Sequence, residues 1–253
     1  MPTSVVSVPT TSNPGRYAKH PVISFLLSSI GRKWIVALTG LALVGFVVGH
    51  LAGNLQFFFP NNDQINIYAV KLHQLGPLLW VVRLGLLAVF VAHIATTISL
   101  IIENKKARPS KYATSRPQKS TIASRTMALS GLTVLSFVIY HILHFSVQSF
   151  HPEYKVLLDP EGRPDVYSRM VLGFSHPLIG GFYILSVSLL ALHLKHGVSS
   201  TIQTLGIKSK QIAGLVENGG RILAIAVGIG FISLPASVLL KIQKMPAWHT
   251  TSK

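Results

Sequence analysis

Five histidines stand where histidine is costly. His50, His93, His141, His144 and His193 lie inside, or at the ends of, long stretches free of Asp, Glu, Lys and Arg, and His196 sits just past the Lys195 boundary of one of them. An imidazole among aliphatic side chains is hydrogen-bonded between helices, turned to water, or functional as a metal ligand or proton carrier. The set says more than any member, because one deep histidine falls on each of four successive apolar stretches. Four imidazoles in two facing pairs are what two iron porphyrins require, each iron taking two axial nitrogens from opposed helices. The chain has no cysteine. That excludes thiolate-bound iron–sulfur clusters, disulfides and covalent c-type attachment, so any haem here is b-type, held by side-chain ligands and packing alone.

The elements that position these rings follow from the charge-free runs, which cover 34–62, 84–102, 126–152, 170–194 and 222–240. Each meets or exceeds the roughly 17–25 residues that a helix needs to cross a bilayer. Five spans are expected, at roughly 33–58, 75–102, 126–149, 170–197 and 220–242. Charged residues are 12% of the chain, half of the roughly 25% usual in a soluble domain. The net charge of +16 flanks the apolar runs and forms no basic stripe; it is topogenic charge at a membrane surface, and no nucleic-acid partner is expected. The fold expected is an all-α membrane protein, a five-helix bundle enclosing two b haems.

Loop charge sets the expected orientation. Lys105, Lys106, Arg108, Lys111, Arg116, Lys119 and Arg125 follow the second span against a single Glu103. Lys195, Lys208, Lys210 and Arg221 follow the fourth, and Arg16, Lys19, Arg32 and Lys33 precede the first. The other two loops are mixed or nearly neutral. Excess positive charge marks the cytoplasmic side, which puts the N-terminus inside and the C-terminus outside. Residues 1–30 are expected as a cytoplasmic tail without a signal-peptide layout, in which 24–30 could form a short interfacial helix. Residues 31–245 make the membrane domain, and 246–253 a C-terminal tail.

Depth pairs the histidines. At 1.5 Å per residue, His50 lies roughly 25 Å from Lys33, His141 roughly 24 Å from Arg125, and His93 roughly 15 Å from Glu103. His50 and His141 therefore share an outer level, leaving His93 to pair with His193 nearer the cytoplasm. The second match is imperfect, since His193 is only about 3 Å of helix from Lys195; a lysine that snorkels, or a helix that runs on past it, would remove the conflict. His141 and His144 point about 60° apart, as do His193 and His196. His141 and His193 are preferred as ligands, while His144 and His196, nearer an interface, could meet water or a haem propionate. Arg83 is the one guanidinium near a span interior, suited to a propionate or to the interface. Gly40, Gly45, Gly49, Gly53, Gly131, Gly173, Gly180 and Gly181 could make room for a porphyrin or serve close helix packing. Trp34, Trp80 and Tyr183 suit an aromatic belt or a haem contact.

Several stretches resemble a known family. Thr39-Gly40-Leu41 with Gly49-His50-Leu51, Phe90-Val91-Ala92-His93, Phe137-Val138-Ile139-Tyr140-His141, Gly181-Phe182-Tyr183-Ile184, Leu192-His193-Leu194-Lys195-His196-Gly197 and Gln203-Thr204-Leu205-Gly206 are similar to the cytochrome b subunit of succinate dehydrogenases and fumarate reductases. The form in question is the dihaem, single-polypeptide one, the cytochrome b558 family. The resemblance spans roughly residues 30–245 and rests on the order of five helices and four histidines, not on any single motif. It implies axial ligands at His50, His93, His141 and His193, paired first helix with third and second with fourth, and it favours His193 over His196. It also implies a bacterial cytoplasmic membrane location, a flavoprotein and an iron–sulfur subunit on the cytoplasmic face docked on the basic loops, especially 103–125, and electron exchange with a quinone, menaquinone being expected. Asn54, Gln56, Asn66, Tyr68 and His73 are candidate quinone contacts, or a plain solvated loop. Some fumarate reductases of this type use glutamates within the membrane; no acid lies inside the expected spans here. The alternative is the cytochrome b subunit of another respiratory complex, such as a hydrogenase or formate dehydrogenase; a different class again is a haem-free transporter with a histidine proton relay.

Overall fold

Away from water, an apolar segment can satisfy its backbone N–H and C=O groups only within itself, and each charge-free run of this chain holds a long helix. The computed structural model describes residues 20–61, 63–107, 127–206 and 209–250. A short helix α1 (Pro21–Leu27) breaks at Ser28, whose hydroxyl caps α2 (Ser29–Asn54) by accepting from the Gly31 N–H at 3.0 Å. A 3₁₀ turn over Leu55–Phe58 leads to α3 (Gln64–His73) and then α4 (Pro77–Lys106). Gly76 joins the two at φ +52°, ψ −125°, a conformation that suits glycine and lets Pro77 open the next helix. α5 (Met127–His141) runs into a π turn, Ile142–Ser146. After it come α6 (Val166–Ser175), α7 (Pro177–Thr204), α8 (Lys210–Leu239) and α9 (Ala247–Thr250). Five of these, α2, α4, α5, α7 and α8, are long and apolar enough to cross a membrane, three of them counted with their flanking turns or from Gly214 on. No strand occurs among the described residues. Most of the basic loop, from Arg108 to Arg125, and the N-terminal tail lie outside them.

The fourth span departs from expectation. The neutral run at 170–194 is not one helix: it breaks at His176, whose backbone is extended at φ −81°, ψ 121°. Pro177 causes this, since it lacks an N–H and disfavours helical backbone in the residue before it. The spanning helix therefore starts seven residues later than 170, and it continues past Lys195 to Thr204. His193 then stands about 16 Å of helix from that end, close to the roughly 15 Å that separates His93 from Glu103. The depth conflict disappears once Lys195 is no longer the end of the helix. Glu103, expected in a loop, belongs to the last turn of α4, where Arg32 of α2 binds its two oxygens, one at 2.7 Å.

α7 is the hub of the bundle. It packs along α8 and also against α2 and α5, while α4 packs along α2. Two apolar clusters result. One holds Leu51, Leu194, Ala224 and Val227 between α2, α7 and α8; the larger gathers Phe57, Phe137, Tyr167, Phe174, Tyr183 and Leu234 toward the end where α6 lies.

That end is closed by a buried polar lid. Asp165 caps α6: Oδ1 accepts from Ser168 N–H at 2.9 Å and Asn66 Nδ2 at 3.3 Å, and Oδ2 from Ser168 Oγ at 2.7 Å. Oδ2 also lies 2.9 Å from both Trp248 Nε1 and His249 Nε2. Asp159 beside it accepts from Arg163 Nε at 2.7 Å, and Arg163 reaches Asp63 at 3.1 Å. The lid thus ties together the loop before α3, the loop before α6, and residues near the C-terminus that were expected as a tail. Burial opposes the charge on Asp165, yet the hydrogen bonds from Ser168, Trp248 and Asn66 outweigh it and hold the carboxyl below its usual range. A lowered value means that the charged group stabilises the fold above its unfolded pKa of about 3.9, and that this contribution is lost as pH falls through the lower folded value. Asp165→Asn is expected to cost about 2–4 kcal/mol near neutral pH. The gap from wild type should narrow below about pH 4, a pattern checked by thermal denaturation in detergent across pH.

Candidate functional site

The histidines fall at two ends of the bundle, and one pair is in contact. Toward the lid, His50 of α2 and the final residue of α5, His141, have ring centroids 5.9 Å apart with planes at 80°. Phe46 stacks on His50 at 5.3 Å and Phe231 of α8 lies 5.8 Å away, while Phe137, Phe145 and Tyr183 surround His141 at 5.8–6.0 Å. Two imidazoles sharing one metal, each nitrogen roughly 2 Å from it, would have centroids on the order of 6 Å apart. The observed separation fits that requirement.

Toward the basic end, His93 of α4 and His193 of α7 are close enough for their charges to interact. His93 Nδ1 is 3.1 Å from Thr39 Oγ1 on α2, and His193 Nδ1 is 3.2 Å from Ser130 Oγ on α5. A Cβ at Gly40 would lie 3.3 Å from His93 Cε1, and one at Gly131 would lie 3.5 Å from His193 Cε1. These two glycines seat the rings. Gly53, Gly173 and Gly180 instead admit Tyr68, Phe145 and Leu239, which is plain close packing, whereas Gly45, Gly49 and Gly181 border open space.

Both pairs bridge helices that do not pack closely on each other. α2 touches α4, α7 and α8, and α5 touches α7, but neither α2 with α5 nor α4 with α7 forms a close seam among the described residues. The four rings are only half-buried as a result. Each pair therefore joins helices that lack a close seam with one another. Among the described residues no three of His, Asp and Glu converge to chelate a bare ion. Two imidazoles opposed across separate helices suit a metal whose other ligands come from a planar macrocycle.

The remaining candidates lie elsewhere. His144, within the π turn, is turned away from His50 and buried against Phe145, with Nδ1 3.0 Å from Tyr183 Oη and no protein partner at Nε2. The same hydroxyl lies 3.5 Å from His141 Nδ1, so Tyr183 sits between the two histidines and not in a surface belt. His196 is half-buried on α7, near enough to His193 for their charges to interact. Arg83 is exposed and covers the Trp80 ring at 5.2 Å. Of the loop groups, Asn66 is buried and engaged with Asp159, Asp165 and the Tyr167 N–H. Tyr68 packs on Gly53, His73 bonds to its own helix at Ala69 O, and Asn54 donates to His50 O at 2.8 Å. Both Asn66 and His73 lie on α3, Asn66 buried and His73 exposed, and the polar groups of both are engaged within the fold, so neither stands in a solvated loop. The hydroxyls of Thr39 and Ser130 were not singled out from sequence as partners of histidine. Their one signal is that each precedes a glycine.

In comparisons with known proteins, no family model, no curated protein and no solved structure matches this chain.

Tyr183→Phe leaves His144 Nδ1 buried without its partner and is expected to cost about 1–3 kcal/mol. Because the two groups share one bond, Tyr183→Phe and His144→Ala combined should cost less than their sum, as read from detergent-phase thermal denaturation of the four forms.

Proposed function

We propose that this chain is the membrane-anchor dihaem cytochrome b subunit of a succinate:quinone oxidoreductase. The observation that carries the dihaem part is the pairing of four imidazoles across two gaps, at two heights, between helices that leave each other room. The assignment to succinate oxidation or fumarate reduction rests on the resemblance of the histidine-bearing stretches to that family. His50 and His141 would hold one haem b, and His93 and His193 the other. When bound, such haems supply one-electron steps that link an iron–sulfur partner on one side of the membrane to a quinone, menaquinone being expected. The chain's own part is to fix the four rings, exclude water with Phe46, Phe137 and Phe231, and keep the lid end closed. The basic end, with exposed Lys105 and Lys106, would be the cytoplasmic face that receives the flavoprotein and iron–sulfur subunits. The chain itself, without cysteine, would hold neither flavin nor cluster. The location that goes with this reading is a bacterial cytoplasmic membrane.

Purified protein is expected to show b-type reduced-minus-oxidised absorbance with two irons per chain. His50→Ala, His93→Ala, His141→Ala and His193→Ala should each remove one component, while His144→Ala and His196→Ala keep both. A colourless chain, a single iron, or two haems surviving His141→Ala would defeat the assignment. Co-purification with a flavoprotein and reduction of the haems by succinate test the physiological partner separately.

A further inference from the structure

Two dipeptides treat the basic-end histidines alike: Thr39-Gly40 on α2 faces His93 of α4, and Ser130-Gly131 on α5 faces His193 of α7. Thr39 Oγ1 donates to Ile35 O at 2.6 Å, and Ser130 Oγ donates to Met127 O at 3.0 Å. Because a carbonyl only accepts, each hydroxyl proton is committed to its own helix. The same oxygens face His93 Nδ1 at 3.1 Å and His193 Nδ1 at 3.2 Å. With its proton there, each oxygen accepts, which favours the hydrogen on each Nδ1. A neutral imidazole has one N–H, which leaves Nε2 of both rings with a free lone pair. The following glycine lets the Nδ1–Cε1 edge of each ring approach the helix that supplies the hydroxyl.

The lid-end pair has no equivalent. Asn54 Nδ2, a donor, lies 3.4 Å from both ring nitrogens of His50, and Tyr183 Oη lies 3.5 Å from His141 Nδ1. Those distances are too long to fix a tautomer firmly.

We infer that Thr39 and Ser130 are positioning residues that set the tautomer and rotation of His93 and His193, and so tune the basic-end centre independently of the other. The inference rests on the reading of these two imidazoles as haem ligands. Donation from Nδ1–H raises the electron density at Nε2, favours ferric iron and lowers the reduction potential of that centre.

The test is a redox titration of the purified chain with its bound haems, followed optically and by low-temperature EPR, for wild type, Thr39→Val and Ser130→Ala. His50→Ala, which removes the lid-end component, assigns the signals. Both variants are expected to raise the basic-end potential, by an amount on the order of tenfold in the ferric-to-ferrous ratio, or about 59 mV for a one-electron couple. The basic-end EPR g-values should move and the lid-end centre should not. Thr39→Ser and Ser130→Thr should restore the wild-type values, which a purely space-filling role would not require. Loss of the basic-end haem in Thr39→Val, regained in Thr39→Ser, also supports the inference, and Ser130→Ala tests it independently should Thr39→Val fail to accumulate. Unchanged potential and g-values in both variants, equal shifts of both centres, or failure of the conservative variants would overturn it while leaving the dihaem reading intact. A wild-type chain without haem would overturn that reading, and the inference with it.

Discussion

The bundle depends on α7 touching three other spanning helices while two helix pairs lack a close seam. Close packing of α7 on α8, α2 and α5 fixes those four helices, and α4 joins them through α2, aided by the Arg32–Glu103 pair. The arrangement leaves α2 facing α5, and α4 facing α7, without a close seam. Apolar helices normally remove such gaps, because an unfilled space forfeits dispersion contacts on both walls. Here both gaps are flanked by imidazoles, which aliphatic packing alone would not favour. The dihaem proposal rests on these two facts together.

The two gaps differ in how their rings are held. Toward the lid, aromatic side chains from α2, α5, α7 and α8 crowd His50 and His141, so shape does most of the holding. Toward the basic end, the rings are held by hydroxyl oxygens whose own protons are engaged elsewhere. Hydrogen bonding gives direction as well as position, whereas aromatic packing gives position with little control over which nitrogen carries the proton. Two centres of the same chemical type in one chain can thereby be given different electronic character.

The lid closes the end nearer His50 and His141. Asp165 is buried and negative, its five donors come from four residues in three parts of the chain, and releasing any one leaves a polar group unpaired in a low-dielectric site. This couples the C-terminal Trp248 and His249 to the start of α6, and α6 in turn backs the aromatic cluster around Tyr183 through Phe174. A polar network at the surface and the aromatic wall of the deeper site are therefore mechanically connected.

The number of helices long and apolar enough to span a membrane, and the order of the histidines along them, were legible in the sequence. Each depends only on charge-free length and the constant rise of a helix. The start of the fourth span was not read correctly, because a neutral run does not reveal where its helix begins, whereas a helix continuing past Lys195 was among the expectations. The partners of the rings were not legible at all. Thr39 is 54 residues from His93 and Ser130 is 63 from His193. Nor could spacing alone separate His141 from His144, since a three-residue offset on a helix offers both faces; the π turn and Tyr183 turn His144 away from His50. Sequence by itself thus determined which side chains lie deep among apolar neighbours. Tertiary structure alone decided which of them face one another and which hydroxyls hold them, because such contacts depend on how separate helices pack.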